Sequence, residues 1–198
     1  MMNVTLIDSP VANTANIARA LRVSGAELHI TRNANEIARA SKLVLPGVGS
    51  FIAAMQWLRE TQIDDAIRDA IARGAYLLGI CVGHQLLFEM SSEMGETRGL
   101  GLVRGVVRQF DGVLPVPQIG WNRVATSGSL FDGVAYGTPF YFVNSYAARG
   151  SDDEIACADY NGRFTAAVQR ERVYGVQFHP EKSSAAGLRV LRNFMACR

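Results

Sequence analysis

In the first half of the chain, short apolar runs alternate with segments whose apolar residues recur every three or four positions. The runs predict strands at 3–7, 26–30, 42–45 and 75–80. The amphipathic segments predict helices at 13–23, 34–41, 51–59, 63–73 and 83–92. This alternation predicts a doubly wound α/β fold with a mostly parallel sheet, helices on both faces and a site at the carboxyl ends of the strands.

The second half changes character after Gly101. Short β-rich runs separated by glycine, proline and aspartate predict strands at 102–110, 122–125, 140–143, 155–158, 165–169 and 173–178. We expect them to extend the sheet in antiparallel fashion, and we expect a closing helix over 184–197. The segment 111–117 is the most loop-like of the chain, and we interpret it as a loop within one domain spanning 1–198.

Composition excludes several classes of function. The 198 residues are 48% hydrophobic and 19% charged, which is ordinary for one compact domain. A net charge of +2 gives no electrostatic argument for nucleic-acid binding. No apolar run is long enough to span a membrane, and no targeting segment is visible. The widely spaced Cys81, Cys157 and Cys197 argue against a disulfide framework and favour a reducing, cytoplasmic location.

The first chemical motif is Gly79-Ile80-Cys81-Val82-Gly83, which directly follows a predicted buried strand. Glycines two positions before and after Cys81 allow the backbone to turn sharply and to approach its neighbours. A helix that begins behind the cysteine directs N–H groups towards the sulfur and favours the thiolate. Alone, the motif also fits an ordinary core cysteine.

The second motif is His179-Pro180-Glu181, at the end of a β-rich run. In an extended segment the first and third of these side chains project to the same side, so Glu181 can orient the His179 imidazole. Alone, this motif fits a solvated loop. Together the two motifs predict a Cys81, His179 and Glu181 triad for nucleophilic catalysis.

These motifs resemble those of the class I, triad-type glutamine amidotransferases. Three further stretches, Leu45 to Gly49, Pro117 to Asn122 and Tyr141 to Tyr146, are similar to the glutaminase subunits of imidazole glycerol phosphate synthase. The resemblance covers the chain in order and implies a flavodoxin-like core. It implies that the triad hydrolyses glutamine to glutamate and ammonia without a cofactor.

The nucleophile turn and the resemblance together predict further site residues. The backbone N–H of Val82, which follows the nucleophile, is expected to form an oxyanion hole with the segment Gly47, Val48 and Gly49. The resemblance implies that the substrate glutamine is bound by Gln85, Glu93, Asn144, Ser145 and Tyr146.

The resemblance also implies a partner. A separate cyclase subunit would form a heterodimer with this chain, receive the ammonia through a channel, and make imidazole glycerol phosphate and aminoimidazole carboxamide ribotide for histidine biosynthesis. Pro117, Trp121 and Asn122 are the candidates for the docking face at the channel mouth. Trp121 fits the role of a core anchor equally well.

Alternatives stay open at this stage. A paralogous glutaminase could supply ammonia to another acceptor, such as an amidated surface sugar, and a thiol sensor could keep Cys81 without catalysis. Cys81, His84, His179 and Glu181 have the residue types of a metal site, but no further carboxylate that would orient such ligands is evident and we predict no metal. Two positions depart from the family, with His84 in place of methionine and Asn144 in place of histidine. We expect His84 to be a surface or partly buried helix residue.

Overall fold

The protein is described by a computed structural model covering residues 2–10 and 14–198. Its first half alternates as predicted: β1 (Met2–Ile7), α1 (Thr14–Val23), β2 (Ala26–Thr31), α2 (Ala34–Arg39), β3 (Lys42–Gly47), α3 (Phe51–Glu60), α4 (Ile63–Ala72) and β4 (Tyr76–Cys81). Asn13, the predicted first residue of α1, lies outside the described residues.

The second half is built from short elements. They are α5 (Val82–Gln85), β5 (Met90–Ser91), β6 (Thr97–Arg98), β7 (Val106–Gln109), β8 (Gln118–Arg123), β9 (Ala125–Thr126), β10 (Pro139–Asn144), β11 (Tyr146–Ala148), β12 (Glu154–Asp159), β13 (Arg163–Arg170), β14 (Val173–Val176) and α6 (Ser184–Ala196). Two 3-10 turns, Ser129–Phe131 and Pro180–Lys182, complete them. The segment 111–117 forms the predicted loop.

The main sheet has eight strands in the order β2-β1-β3-β4-β14-β13-β12-β9. The five strands from β2 to β14 are parallel, and the other three are antiparallel. The parallel part has the strand order of a flavodoxin-like core. α2, α3 and α4 pack together, and α1 packs with α6. Right-handed crossovers between parallel strands place these two groups on opposite faces, so the predicted fold class is confirmed.

Local sequence explains the helices of the first half. In α4 the buried residues Ile63, Ala66, Ile67 and Ala70 follow the spacing of one helical face. α2 begins at Asn33, whose Oδ1 accepts hydrogen bonds from the N–H groups of residues 35 and 36 at 2.9 and 3.4 Å. Among the described residues, no helix is both long and apolar enough to cross a membrane.

The predicted helix over 83–92 is wrong beyond residue 85. The carbonyls of Leu86, Leu87 and Phe88, which a continuing helix would use, accept N–H groups from residues 100 to 103 at 2.8–3.1 Å. These three side chains are nonetheless at most 1% exposed, which is why their pattern resembled a helix. The chain continues into β5, which pairs with β6 and β7.

The predicted antiparallel extension is correct for β13, β12 and β9 but not for the other strands. β8 and β10 form a separate two-stranded sheet, and β11, β7, β5 and β6 form a third sheet. The strand predicted at 122–125 instead runs from 118 to 123. Aromatic packing joins β10 to the main sheet, since Phe140 stacks on Phe178 with ring centroids 4.1 Å apart.

The strand order determines where a site can form. β3, β4 and β14 are neighbouring parallel strands, with Gly47 opposite Cys81 and Val176 opposite Ile80. Their carboxyl ends therefore meet at one edge. His179 follows three residues after the end of β14, so the fold brings both predicted motifs to the same edge of the sheet.

Candidate active site

Cys81 ends β4 in a backbone conformation that side chains rarely adopt. Its φ and ψ are 55° and −112°, and α5 begins at the next residue. Both flanking glycines are needed for this turn: a Cβ on Gly79 would lie 2.5 Å from Gly83 O, and a Cβ on Gly83 would collide with Leu45 O. Close packing against β3 thus holds a strained turn that presents the thiol at the edge of the sheet.

His179 is held by the strand next to it. Its backbone N–H donates to Tyr141 O at 2.9 Å. Ser183 Oγ donates to His179 O at 2.7 Å and accepts from Tyr141 N–H at 3.0 Å. Ser183 is 1% exposed. Its buried hydroxyl therefore links the backbone carbonyl of His179 to the backbone N–H of Tyr141 in β10.

Glu181 orients His179, with 2.8 Å between Glu181 Oε1 and His179 Nδ1. Both side chains are buried. The predicted pairing is therefore present, but its backbone basis differs from the expectation. His179 is extended, whereas Glu181 belongs to the 3-10 turn that begins at Pro180. The turn, and not strand alternation, brings the carboxylate back to the imidazole.

The pKa of His179 is raised to about 10. Burial by itself lowers this pKa, but hydrogen bonds and charge interactions with Cys81 and Glu181 outweigh it. Cys81 Sγ also lies 3.9 Å from Val143 O. The imidazole thus interacts with Cys81 as well as with the Glu181 carboxylate, and both interactions favour its protonated form.

A cavity of about 330 Å³ opens beside Cys81. It brings together eleven of the predicted site residues with two that were not predicted. The lining residues are Val48, Gly49, Cys81, Val82, Gln85, Glu93, Pro117, Val143, Asn144, Ser145, Tyr146, His179 and Lys182. Such a cavity suits a small molecule with several polar groups.

Gly47, predicted as part of the oxyanion hole, lies outside the lining. Gly47 is buried, and a Cβ there would lie 2.8 Å from Gly83 N and 2.9 Å from Val82 Cβ. Its contribution is therefore close packing of β3 against the turn. Val48 and Gly49 continue from it into the lining, and Gly49 has a φ of 82°, which favours glycine.

Two predicted substrate residues are fixed by hydrogen bonds. Gln85 is 4% exposed, and its Nε2 donates to Tyr146 O at 2.8 Å. Glu93 Oε2 accepts from the N–H of Phe51 at 2.7 Å, at the start of α3. Glu93 follows β5 in a hairpin loop and lines the cavity.

Comparison with known proteins identifies the family. The family model for class-I glutamine amidotransferases matches residues 5–197. The chain belongs to this family. It is 44% identical to imidazole glycerol phosphate synthase subunit HisH of Salinibacter ruber, over 97% of this chain and 93% of that protein. It is 41% identical to the HisH subunit of Moorella thermoacetica, over 98% of this chain and 94% of that protein.

Solved structures agree with this amidotransferase at the level of fold. One is a glutamine amidotransferase with a TM-score of 0.76 and 19% identity, covering 96% of each chain. Another is PurLQS of Thermotoga maritima, with a TM-score of 0.74 and 17% identity, covering 97% of this chain and 96% of that one. The similarity to the HisH relatives identifies the chain as an enzyme of the HisH group of glutamine amidotransferases.

Sequence reasoning missed Val143 and Lys182 in the cavity of the amidotransferase. Lys182 directly follows Glu181, and its Nζ lies 5.5 Å from the centre of the Tyr141 ring. Its position next to the triad motif was a usable signal. Val143 belongs to the aromatic run of β10, where alternation places it on the same face as Tyr141.

The predicted docking residues separate in the structure. Pro117 lines the cavity, and Trp121 is 53% exposed, which disfavours its role as a core anchor. Asn122 lies on the opposite face of β8 and donates from Nδ2 to Asp159 O at 2.8 Å. Its side chain therefore ties β8 to the main sheet, and the docking role of the three residues stays a prediction.

The expectation that His84 is exposed or partly buried was also wrong. His84 is 0% exposed, and neither ring nitrogen has a hydrogen-bond partner among the described residues. Its ring meets Phe88 edge-on at 5.1 Å between centroids, and Gly175 leaves room for it. Among residues 2–10 and 14–198 no group of three acidic, histidine or cysteine side chains is arranged to hold a metal ion.

Proposed function

We propose that this amidotransferase hydrolyses glutamine through Cys81, His179 and Glu181, and that residues 1–198 act as one glutaminase domain. One observation carries the proposal: Cys81 on its strained turn and His179, which is paired with the buried Glu181, line one small cavity. A thiol nucleophile requires a base in contact with it, and the base requires an orienting group. Both requirements are met here.

In the first step, the Cys81 thiolate attacks the side-chain carbonyl carbon of glutamine, and the carbonyl oxygen becomes an oxyanion. The N–H of Val82 and an N–H of the Val48–Gly49 segment are the donors for it. His179 then gives its proton to the amide nitrogen as the C–N bond breaks. Ammonia leaves, and a thioester joins Cys81 to the glutamyl group.

In the second step, water attacks the thioester carbonyl while His179 takes one of its protons. The C–S bond breaks, glutamate leaves, and the thiolate returns beside the imidazolium. The sum is glutamine plus water giving glutamate, ammonia and one proton, which the new carboxylic acid releases to solvent. The Glu181 carboxylate stabilises the protonated imidazole, in keeping with the raised pKa of His179.

The finer proposal concerns the acceptor of the ammonia. We propose a cyclase subunit that uses it to make imidazole glycerol phosphate and aminoimidazole carboxamide ribotide in histidine biosynthesis. The names of the HisH relatives support it, since each is a subunit of imidazole glycerol phosphate synthase. An apolar rim beside the cavity, formed by Val48, Val116, Ile119 and Trp121, is 36–65% exposed and suits a protein partner.

The decisive experiment compares two nitrogen sources in a complex of this chain with its cyclase. Cys81→Ala should abolish synthesis from glutamine and leave synthesis from ammonium salts largely unchanged. Cys157→Ala is the control, because Cys157 lies in β12 and does not line the cavity. Loss of both activities in Cys81→Ala would contradict the division of labour. Glutamate release that is indifferent to the cyclase would favour the paralogue with another ammonia acceptor.

A further inference from the structure

A second glutamine side chain contacts Gln85 from inside the protein. Gln177 follows β14 and is 0% exposed, and its backbone N–H donates to Ala166 O at 2.8 Å. Its Oε1 accepts a hydrogen bond from Gln85 Nε2 at 3.0 Å. The next residue, Phe178, is held in the aromatic core. Gln177 is therefore a fixed group behind a side chain that lines the cavity.

The contacts fix which way the Gln85 amide points. Tyr146 O is a backbone carbonyl and can only accept, so the Gln85 atom 2.8 Å from it must be the nitrogen. An amide nitrogen has two hydrogens, and the second one serves Gln177 Oε1. Gln85 Oε1 is then the polar atom left for the cavity. A flipped amide would set two acceptors against each other at Tyr146 and at Gln177.

Tyr146 O holds the Gln85 amide through only one of its two hydrogens. It also accepts from Asn144 Nδ2 at 3.0 Å, so two donors share one carbonyl. Without the Gln177 contact, the Gln85 amide would keep one shared hydrogen bond and could rotate about its last torsion. Gln177 Oε1 is thus the acceptor that serves Gln85 but not Asn144.

Packing does not account for a glutamine at position 177. Its Nε2 is buried and has no hydrogen-bond partner among the described residues. An unpaired buried donor costs free energy, and a methionine would fill a similar volume without that cost. The Oε1 acceptor is the feature that a methionine lacks.

We propose that Gln177 is a positioning residue for glutamine hydrolysis. It holds Gln85 so that Oε1 faces the cavity and accepts a hydrogen bond from an N–H group of the substrate. The inference rests on the proposed function, because it assigns Gln177 a role in binding glutamine. Gln177 itself does not touch the substrate.

The test measures glutamate release by the complex with the cyclase for the wild type, Gln177→Met, Gln177→Glu and Gln169→Met. Gln177→Met should raise the KM for glutamine roughly 3- to 10-fold, the loss of about one hydrogen bond. Its kcat and its ammonia-dependent synthesis should change less than about twofold. Gln177→Glu keeps an acceptor oxygen and should restore most of the affinity. Gln169→Met removes a glutamine bonded to Tyr174 Oη, away from the cavity, and should behave as wild type.

An unchanged KM in Gln177→Met would overturn the inference, and so would an equal rise in Gln169→Met. Failure of both Gln177 variants to fold, seen by thermal unfolding, would assign the residue to stability and overturn it as well. A wild-type complex that releases no glutamate contradicts the proposed function and this inference together. An active wild type with an unaffected Gln177→Met contradicts the inference alone.

Discussion

Glu181 Oε1 lies 2.8 Å from His179 Nδ1, and the two residues are separated only by Pro180. The 3-10 turn that starts at this proline makes the short loop between base and carboxylate rigid. The pair is therefore built locally and carried as one unit at the end of β14. The rest of the fold has only to bring Cys81 to the other side of the imidazole.

The orienting role of Glu181 can be tested by Glu181→Gln. The amide keeps the shape but loses the charge that stabilises the imidazolium, and it can donate to Nδ1 and select the wrong tautomer. We expect kcat for glutamine to fall by about 10²–10⁴, with ammonia-dependent synthesis unchanged. Steady-state glutamate release with the cyclase present measures this. A fall of less than about threefold would contradict the assignment.

Gly83 should be the least replaceable glycine of the nucleophile turn. A Cβ at this position would collide with Leu45 O of β3, a strand paired on both sides and unable to move away. We expect Gly83→Ala to destabilise the protein by about 3 kcal/mol or more. Gly25→Ala is the control: its φ is 101° with open space around it, so strain alone costs about 1–2 kcal/mol. Urea unfolding of both variants compares them, and equal losses would contradict the steric argument.

The triad and most of the cavity could be predicted from sequence because they depend on chain order. Apolar runs alternating with helices predict neighbouring parallel strands, and glycines around Cys81 predict a sharp turn at a strand end. Once these were assigned, the carboxyl ends of β3, β4 and β14 had to meet. Gln85 lies one turn beyond the end of β4, whereas Asn144, at the end of β10 in another sheet, was predicted from the family resemblance alone.

The rest could not be predicted because it depends on distant partners. Residues 86–88 have the apolar pattern of a helix, and only the N–H groups of residues 100–103 divert their carbonyls. β5 and β6 have two residues each, too few for a periodic signal. The start of β8 at Gln118, four residues before the predicted start, was also missed, and with it the alternation that places Trp121 and Asn122 on opposite faces.

Trp121 and Asn122 should respond differently to truncation. Trp121 is 53% exposed and its main aromatic contact is Tyr141, at 6.0 Å between ring centroids. Trp121→Ala should leave the free energy of unfolding nearly unchanged and weaken binding to the cyclase by about 2 kcal/mol, or roughly 30-fold. Asn122→Ala should instead lower stability by about 1 kcal/mol, through the lost bond to Asp159 O.

Calorimetric titration with the cyclase and urea unfolding separate these two effects. Tyr136→Ala is the control for Trp121, because Tyr136 is also aromatic and is 79% exposed. It lies in the loop that leads into β10 at Pro139, the end of that strand away from the cavity. Equal weakening by Tyr136→Ala and Trp121→Ala would argue against the apolar rim as the docking surface.

His84 should make the amidotransferase sensitive to acid. The imidazole is fully buried against Phe88 and Gly175, and no charged group contributes to its environment, so burial lowers its pKa from 6.5 to about 3. The unfolded chain takes up a proton near pH 6.5, whereas the folded protein does not until about pH 3. The free energy of unfolding is therefore unaffected by His84 titration above pH 6.5, and it decreases as the pH drops below 6.5.

His84→Met removes both the unpaired nitrogens and the titration while keeping a similar volume. We expect a gain of about 1–3 kcal/mol at pH 7.5, from the buried polar atoms that no longer lack partners. At pH 5 the gain should be larger by about 2 kcal/mol. This pH is 1.5 units below 6.5, and each unit lowers the free energy of unfolding of the wild type alone by about 1.4 kcal/mol. Urea unfolding of both proteins at the two pH values gives this difference of differences, in which all shared titrations cancel. A gain that is the same at pH 7.5 and pH 5 would mean that His84 takes up its proton at the same pH in the folded protein as in the unfolded chain, and would contradict the prediction.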